Sequence, residues 1–247
     1  MPDETPTGGR EYLVAVREQE ARCRAGTERA IRAFGRNLPV LESALGSALS
    51  SLEQAACCYW GCTGGEHVLE RLIGRAYSLA CASHRLMETG RYDEALLVLR
   101  SLGELANLLT LFATDRSSLD TWLAAEDRAR RRDFIPVKVR LALEAKNTPA
   151  PMDQDLYDKL CQLTVHPTPE TKPGMHNPSG LVVLGGHVQI VGVVVVLNEL
   201  ARVVGCSAIC ASSLLSLPAE KALEMRILGA DLLRTVGPLT IETVDLV

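Results

Sequence analysis

The run LVVLGGHVQIVGVVVVL, Leu181 to Leu197, constrains this chain more than any other stretch. It is 17 residues long, at the short limit for a bilayer span, which takes about 20 apolar residues. It carries His187 and Gln189, and no Lys or Arg stands at its N-terminal flank. Apolar residues with polar insertions and no flanking cations read as a helix buried in a protein core, with no membrane. Val191 to Val196 is mostly β-branched and by itself would suit a strand. The continuation NELARVVGCSAICASSLL keeps helical spacing with no turn signal between, so the whole run is expected to be helical.

A helix apolar on every side needs other helices to cover it. At 247 residues the chain is long enough to supply them and to bury a sizeable core. Aromatic residues are 4% against 47% hydrophobic overall, so that core is mostly Leu, Val and Ala, which suits closely packed helices. The covering helices are legible from period and punctuation. Leu13 to Phe34 alternates charged and apolar residues, with Glu28 and Arg32 one turn apart, as on an exposed helix. Asn37 with Pro39 starts a second, whose inward stripe is Leu41, Leu45, Leu49, Leu52 and Ala56. Further helices are expected over Glu66 to Thr89, closed by Gly90 as a left-handed cap, and over Asp93 to Ala113. Ser117 to Arg132 reads as one helix, followed by Val137 to Ala145, Asp153 to Val165 and a last one from Pro218 to Arg234. The fold class is therefore all-α: a single multi-helix bundle over residues 11–236. A long loop from His166 to Gly180 carries Pro167, Pro169, Pro173 and Pro178 and is expected to be irregular.

The first ten residues, MPDETPTGGR, are polar and read as a disordered lead-in without the basic and apolar parts of a signal peptide; residues 237–247 read as a tail. A net charge of −4 gives no overall field for nucleic acid, so any such binding needs a local patch. Eight scattered cysteines fit reduced thiols in a cytoplasmic protein. In CCYWGCTGGEH, Cys58, Cys62 and His67 are ligand types that suit zinc. Their spacing follows a zinc knuckle only loosely, and Leu72 stands where a fourth ligand would fall. The expectation is thiols packed at a helix end, with no metal and no cofactor.

The candidate functional residues lie elsewhere. On the Asp93 to Ala113 helix, apolar almost all round and so expected to be central, Arg100, Glu104 and Asn107 recur at i, i+4 and i+7 and share one face. If that face is buried, Arg100 must be paired; if it is exposed, the stripe is only the wet side. In YDKLCQLTVHP, Tyr157, Cys161 and Val165 share one side, while Lys159, Gln162 and His166 share another. His166 falls at a helix C-terminus, where the helix dipole favours the protonated ring, and Pro167 turns it toward the loop. A His beside an Arg–Glu pair could hold a phosphate or move a proton, and Arg100, Glu104, Lys159 and His166 are the candidate catalytic set. The structural alternative has His166 capping its own helix. Arg128, Arg130, Arg131 and Arg132 form the one dense basic cluster, either an anion-binding patch or a solvated helix end.

The order LLVLRSLGELANLL, then WLAAEDRARRRDF, then YDKLCQLTVHPT resembles a group of uncharacterised bacterial all-helical proteins placed loosely with the HEPN-like domains. Arg100, Glu104, Tyr157 and His166 carry the likeness, and it covers about Glu66 to Ile227. HEPN ribonucleases carry an Arg followed about four to six residues later by a His on one helix; no Arg here precedes a His at that spacing, and the nearest approach is Lys159 and His166, with Lys in place of the bidentate Arg. The resemblance implies a helical binding module in bacterial defence or toxin-related settings, with RNA or a protein as partner. A degenerate metal-independent ribonuclease and a structural interaction domain are the alternatives. Apolar bundles of this kind often pair, so a homodimer is expected.

Overall fold

The computed structural model describes residues 9–35, 37–62, 66–165 and 185–238. Among the described residues it is all-α, with ten α-helices: α1 Gly9–Ala33, α2 Asn37–Ala56, α3 Val68–Glu88, α4 Tyr92–Thr114, α5 Arg116–Ala124, α6 Asp127–Asp133, α7 Pro136–Glu144, α8 Gln154–Leu160, α9 Ile190–Leu214 and α10 Ala219–Thr235.

The apolar run forms α9, and α9 is the axle of the bundle. It packs against α10, α4, α2, α3 and α1. Val193, Val195, Val196, Leu197, Leu200 and Val204 are all fully buried. The helix begins at Ile190, later than the run itself. The backbone at Gly186 crosses the end of α3 so closely that a Cβ there would collide with the Thr89 carbonyl oxygen. Such a crossing holds the chain out of helix until Gln189, whose N–H donates to the Tyr92 hydroxyl at 2.9 Å. Both α4 and α9 are long and apolar enough to cross a membrane. In this fold α9 is enclosed by other helices, and 83% of its most apolar window is buried against 56% for α4. Charge also lies inside: Glu199 is fully buried and paired with Arg202 at 2.7 Å.

Two glycines set the approach of α10 to α9. A Cβ on Gly229 would sit 2.7 Å from the Gly205 carbonyl oxygen, and one on Gly205 would sit 2.9 Å from Leu233 Cγ. Only hydrogen at both positions lets the two backbones meet. The amphipathic helices bury the faces their spacing implies: Leu38, Leu41, Leu45 and Leu52 on α2, and Ile73, Ala76, Ala80 and Met87 on α3. Gly90 closes α3 at φ +75, with its N–H to the Met87 carbonyl and that of Arg91 to the Leu86 carbonyl, the Schellman pattern of a left-handed cap.

Three expectations need correction. The segment Ser117 to Arg132 is two helices: Ala125 and Glu126 take extended conformations and break it into α5 and α6. No Gly or Pro marks that break. The Asp153 to Val165 helix is α-helical only to Leu160, and Cys161–Val165 forms a π-helical turn. A π turn holds an extra residue, so faces counted at α-helical spacing no longer apply beyond Leu160. Cys57 is exposed in the turn after α2 where packing was expected. The proline-bearing loop and His166 lie outside the described residues.

Candidate functional site

The polar stripe of α4 is half-buried, and its members have found partners. Asn107 is buried and clasps the backbone of Met152: its Nδ2 donates to the Met152 carbonyl at 2.7 Å, and the Met152 N–H donates to its Oδ1 at 2.9 Å. The Met152 side chain in turn fills the space over Gly103, where a Cβ would lie 2.8 Å from its sulfur. One asparagine and one glycine thus dock the chain leading into α8 onto α4.

A turn earlier on α4, Arg100 Nη2 lies 3.0 Å from Glu104 Oε1 and donates to the Tyr157 hydroxyl at 2.6 Å. Its guanidinium carbon is 4.7 Å from the centroid of the Tyr157 ring. Arg140, from α7, lies against the same ring at 4.2 Å. That second arginine is itself buried, and its Nε and Nη2 both donate to Gln154 Oε1, at 3.1 and 2.8 Å. Tyr157 therefore carries two cations on one ring, the arrangement cation–π attraction favours. Within this cluster Glu104 is the carboxylate that offsets them. Burial pushes the Glu104 carboxyl above its ordinary range, against the pull of Arg100 and Arg140. Burial also works against the Arg100 charge, but the Tyr157 hydroxyl and Glu104 outweigh it and hold its pKa up. Arg100 Nε and Arg140 Nη1 are buried with no hydrogen-bond partner among the described residues.

The remaining candidates fall around this seam unevenly. Lys159 is partly buried on α8, two positions from Tyr157, so the two side chains leave the helix on different sides. Of the arginine cluster, Arg130 serves the fold: it donates to the carbonyls of Trp122 and Ala125, pairs with Asp127 at 2.8 Å and stacks on Trp122. Arg132 is held by both oxygens of Asp133, at 2.9 and 2.6 Å. Arg128 and Arg131 are exposed.

Arg140 and Gln154 were missed in the sequence. On α7 the buried positions are Val139, Arg140 and Leu143, so Arg140 lies inside the apolar stripe, beside Leu143 at i+3. The spacing was visible, but nothing in the sequence said which side of so short a helix would be covered. Next to the seam lies an open groove of about 710 Å³, lined by Arg140, Gln154, Glu144, Asp153 and Asp155 among others. Its lining is more acidic than basic.

The turn between α2 and α3 also gathers polar side chains. Cys58 Sγ is 3.6 Å from His67 Nδ1, and Cys62 Sγ is 3.6 Å from His67 Nε2. Glu70 Oε1 lies 3.6 Å from His67 Nδ1. Among the described residues, Cys58, Cys62 and His67 are the group whose ligand atoms converge closely enough to hold a metal ion.

Compared with family models, with curated proteins and with solved structures, the chain matches none at a significant level. What fold and site define is a class: an all-α bundle around an enclosed apolar helix, with a dibasic, tyrosine-centred seam on one flank.

Proposed function

We propose that the chain is a HEPN-like helical binding module that engages an anionic partner, RNA foremost, across the flank formed by α4, α7 and α8. One observation carries the reading: Arg100 and Arg140 share the Tyr157 ring and are offset there by Glu104, a carboxyl that burial drives toward its neutral form. Two guanidinium groups against one carboxylate leave an excess of one positive charge at the seam, in a protein whose net charge is −4, although the groove beside it is lined by Glu144, Asp153 and Asp155. Arg128 and Arg131 on α6 add two exposed cations. The setting proposed is bacterial defence in the cytoplasm, and what supports it is the resemblance already described together with the burial of α9.

A second reading, a degenerate metal-independent ribonuclease, is favoured by the contact of a guanidinium with a carboxylate at 3.0 Å. It would use Arg100, Glu104, Lys159 and His166. One experiment separates the two. Fluorescence anisotropy with a labelled single-stranded RNA is measured over a salt series, for the wild type and for Arg128→Glu/Arg131→Glu. Binding should weaken with salt, and in the variant the slope of log K against log salt should become shallower by roughly 0.7 for each phosphate no longer neutralised. Absence of binding at low salt would remove RNA and leave a structural interaction domain. Cleavage of the same RNA, abolished in His166→Ala with binding retained, would establish the ribonuclease; equal cleavage in both would take His166 out of it.

A further inference from the structure

Two elements of secondary structure end where three soft ligands meet. The chain leaves α2 at Ala56 and enters α3 at Val68, and Cys58, Cys62 and His67 stand along that reversal. One donor atom from each of the three lies within 4.8 Å of the others. Cys58 Sγ stands 3.6 Å from His67 Nδ1, which matches the sulfur–nitrogen edge of about 3.6 Å in a tetrahedral zinc site with Zn–S near 2.3 Å and Zn–N near 2.05 Å. Cys62 Sγ faces the other ring nitrogen, Nε2, at 3.6 Å, so the ring turns or Cys62 shifts when both sulfurs share an ion with one nitrogen.

The backbone supports the same reading. Among the described residues only Cys58, His67 and Asn147 are non-glycine residues at positive φ, at 54, 52 and 52. Cys58 closes α2 as Gly90 closes α3, with its N–H to the Ala55 carbonyl and that of Tyr59 to the Gln54 carbonyl. His67 has no such role: no side-chain bond caps the start of α3 there, and an L-residue in this conformation is disfavoured by about 1–2 kcal/mol. The conformation sets the imidazole against the Cys58 thiol. Glu70, one turn into α3, brings a carboxylate oxygen to the same ring nitrogen that faces Cys58.

We infer that Cys58, Cys62 and His67 form a binding site for a thiophilic divalent cation of the zinc type, with the fourth position left to water. Binding displaces the proton of each thiol to solvent and leaves two thiolates and one neutral imidazole nitrogen around the ion. Two thiolates against a divalent charge leave the three ligands and the ion without net charge. The ion staples the end of α2 to the start of α3 outside the apolar core. This site is independent of the arginine–tyrosine seam.

The test uses the full chain, reduced and treated with chelator. Titrated with Co²⁺, it should bind one equivalent and develop the intense visible bands of tetrahedral cobalt together with a sulfur-to-cobalt charge-transfer band; Zn²⁺ should then bleach both. Cys57→Ser, which changes the exposed neighbouring thiol, should leave the spectrum intact. Cys58→Ser and His67→Ala should each weaken binding by more than the ~10–100-fold typical of changes beyond the ligand shell. A wild-type spectrum of octahedral, water-ligated cobalt would overturn the proposal. So would a charge-transfer band that survives in a Cys58→Ser/Cys62→Ser double variant, or quantitative oxidation of that pair to a disulfide in protein that takes up no cobalt. Circular dichroism on each variant keeps loss of metal distinct from loss of fold.

Discussion

The α9 core and the α4–α7–α8 seam both bury charge, and they do so in opposite ways. Around α9 the surroundings are mostly apolar and polar groups are few: the buried carboxylate of Glu199 is paired within the helix, with Arg202, and buried Asn198 accepts from the Gly237 N–H. In the seam three helices supply the polar side chains, and most of these are satisfied across segments: Arg100 reaches α8, Asn107 reaches Met152, and Arg140 reaches Gln154, while Glu104 pairs with Arg100 on its own helix. The core is held by area, which is non-directional and roughly proportional to apolar surface removed from water. The seam is held by direction, and each bond there fixes where one short helix sits. A core of this kind is set by close packing summed over many non-directional contacts, whereas a seam of this kind carries a particular geometry that a ligand can read.

The contrast can be broken most severely at the core. Replacing Gly229 by Leu puts a side chain where even a Cβ would be 2.7 Å from the Gly205 oxygen. Leu200→Ala removes a fully buried side chain from α9. Urea denaturation should show the Leu200→Ala loss at about 2–5 kcal/mol, and Gly229→Leu at least as severe because α10 must move bodily. Asn107→Ala should come next, at about 2 kcal/mol, since it strands a buried N–H and a carbonyl of Met152. Its signature should be faster amide exchange in α8 with exchange in α9 unchanged. Tyr157→Phe keeps the ring and removes only the hydroxyl that accepts from Arg100, so about 1 kcal/mol is expected.

The smallest effects are in pH dependence, and there the two regions should differ in sign. His187 packs edge-on to Tyr92 near the start of α9, and burial lowers its pKa from the ordinary 6.5. Its stability contribution is present above pH 6.5 and is lost as pH falls through the lower folded value, because the unfolded chain takes up the proton first. Glu104 runs the other way. Its folded pKa lies above the ordinary 4.5, so its contribution is present below pH 4.5 and is lost as pH rises through the folded value. Thermal melts across this range should show the acid-side loss shrink in His187→Gln and the second loss disappear in Glu104→Gln. A melt profile unchanged by either substitution would mean that neither environment is as dry as the structure has it.

How far the sequence reached follows the same division. The helical character of α9, the stripes of α2 and α3 and the Gly90 cap were legible, because each rests on a period or a punctuating residue along one segment. The break at Ala125 and the π turn at Cys161 carry no such residue; tertiary packing imposed them on chains that could have stayed helical. In the seam, the i, i+4 pairing of Arg100 with Glu104 was visible in the sequence, and so was the candidacy of Tyr157. Arg140 was not, since on a helix of nine residues one face is as good as another until a neighbour covers it. Likewise Cys58, Cys62 and His67 looked like a knuckle with faulty spacing, and counting residues could not reveal that one ligand atom from each lies within 4.8 Å of the others.

By itself, then, the sequence determined that this chain is helical and which stripes face inward, because hydrophobic burial depends on pattern and is summed over whole segments. Tertiary structure alone decided which polar groups meet, because a hydrogen bond or a ligand shell is short-ranged and depends on where residues far apart in the chain are finally set down.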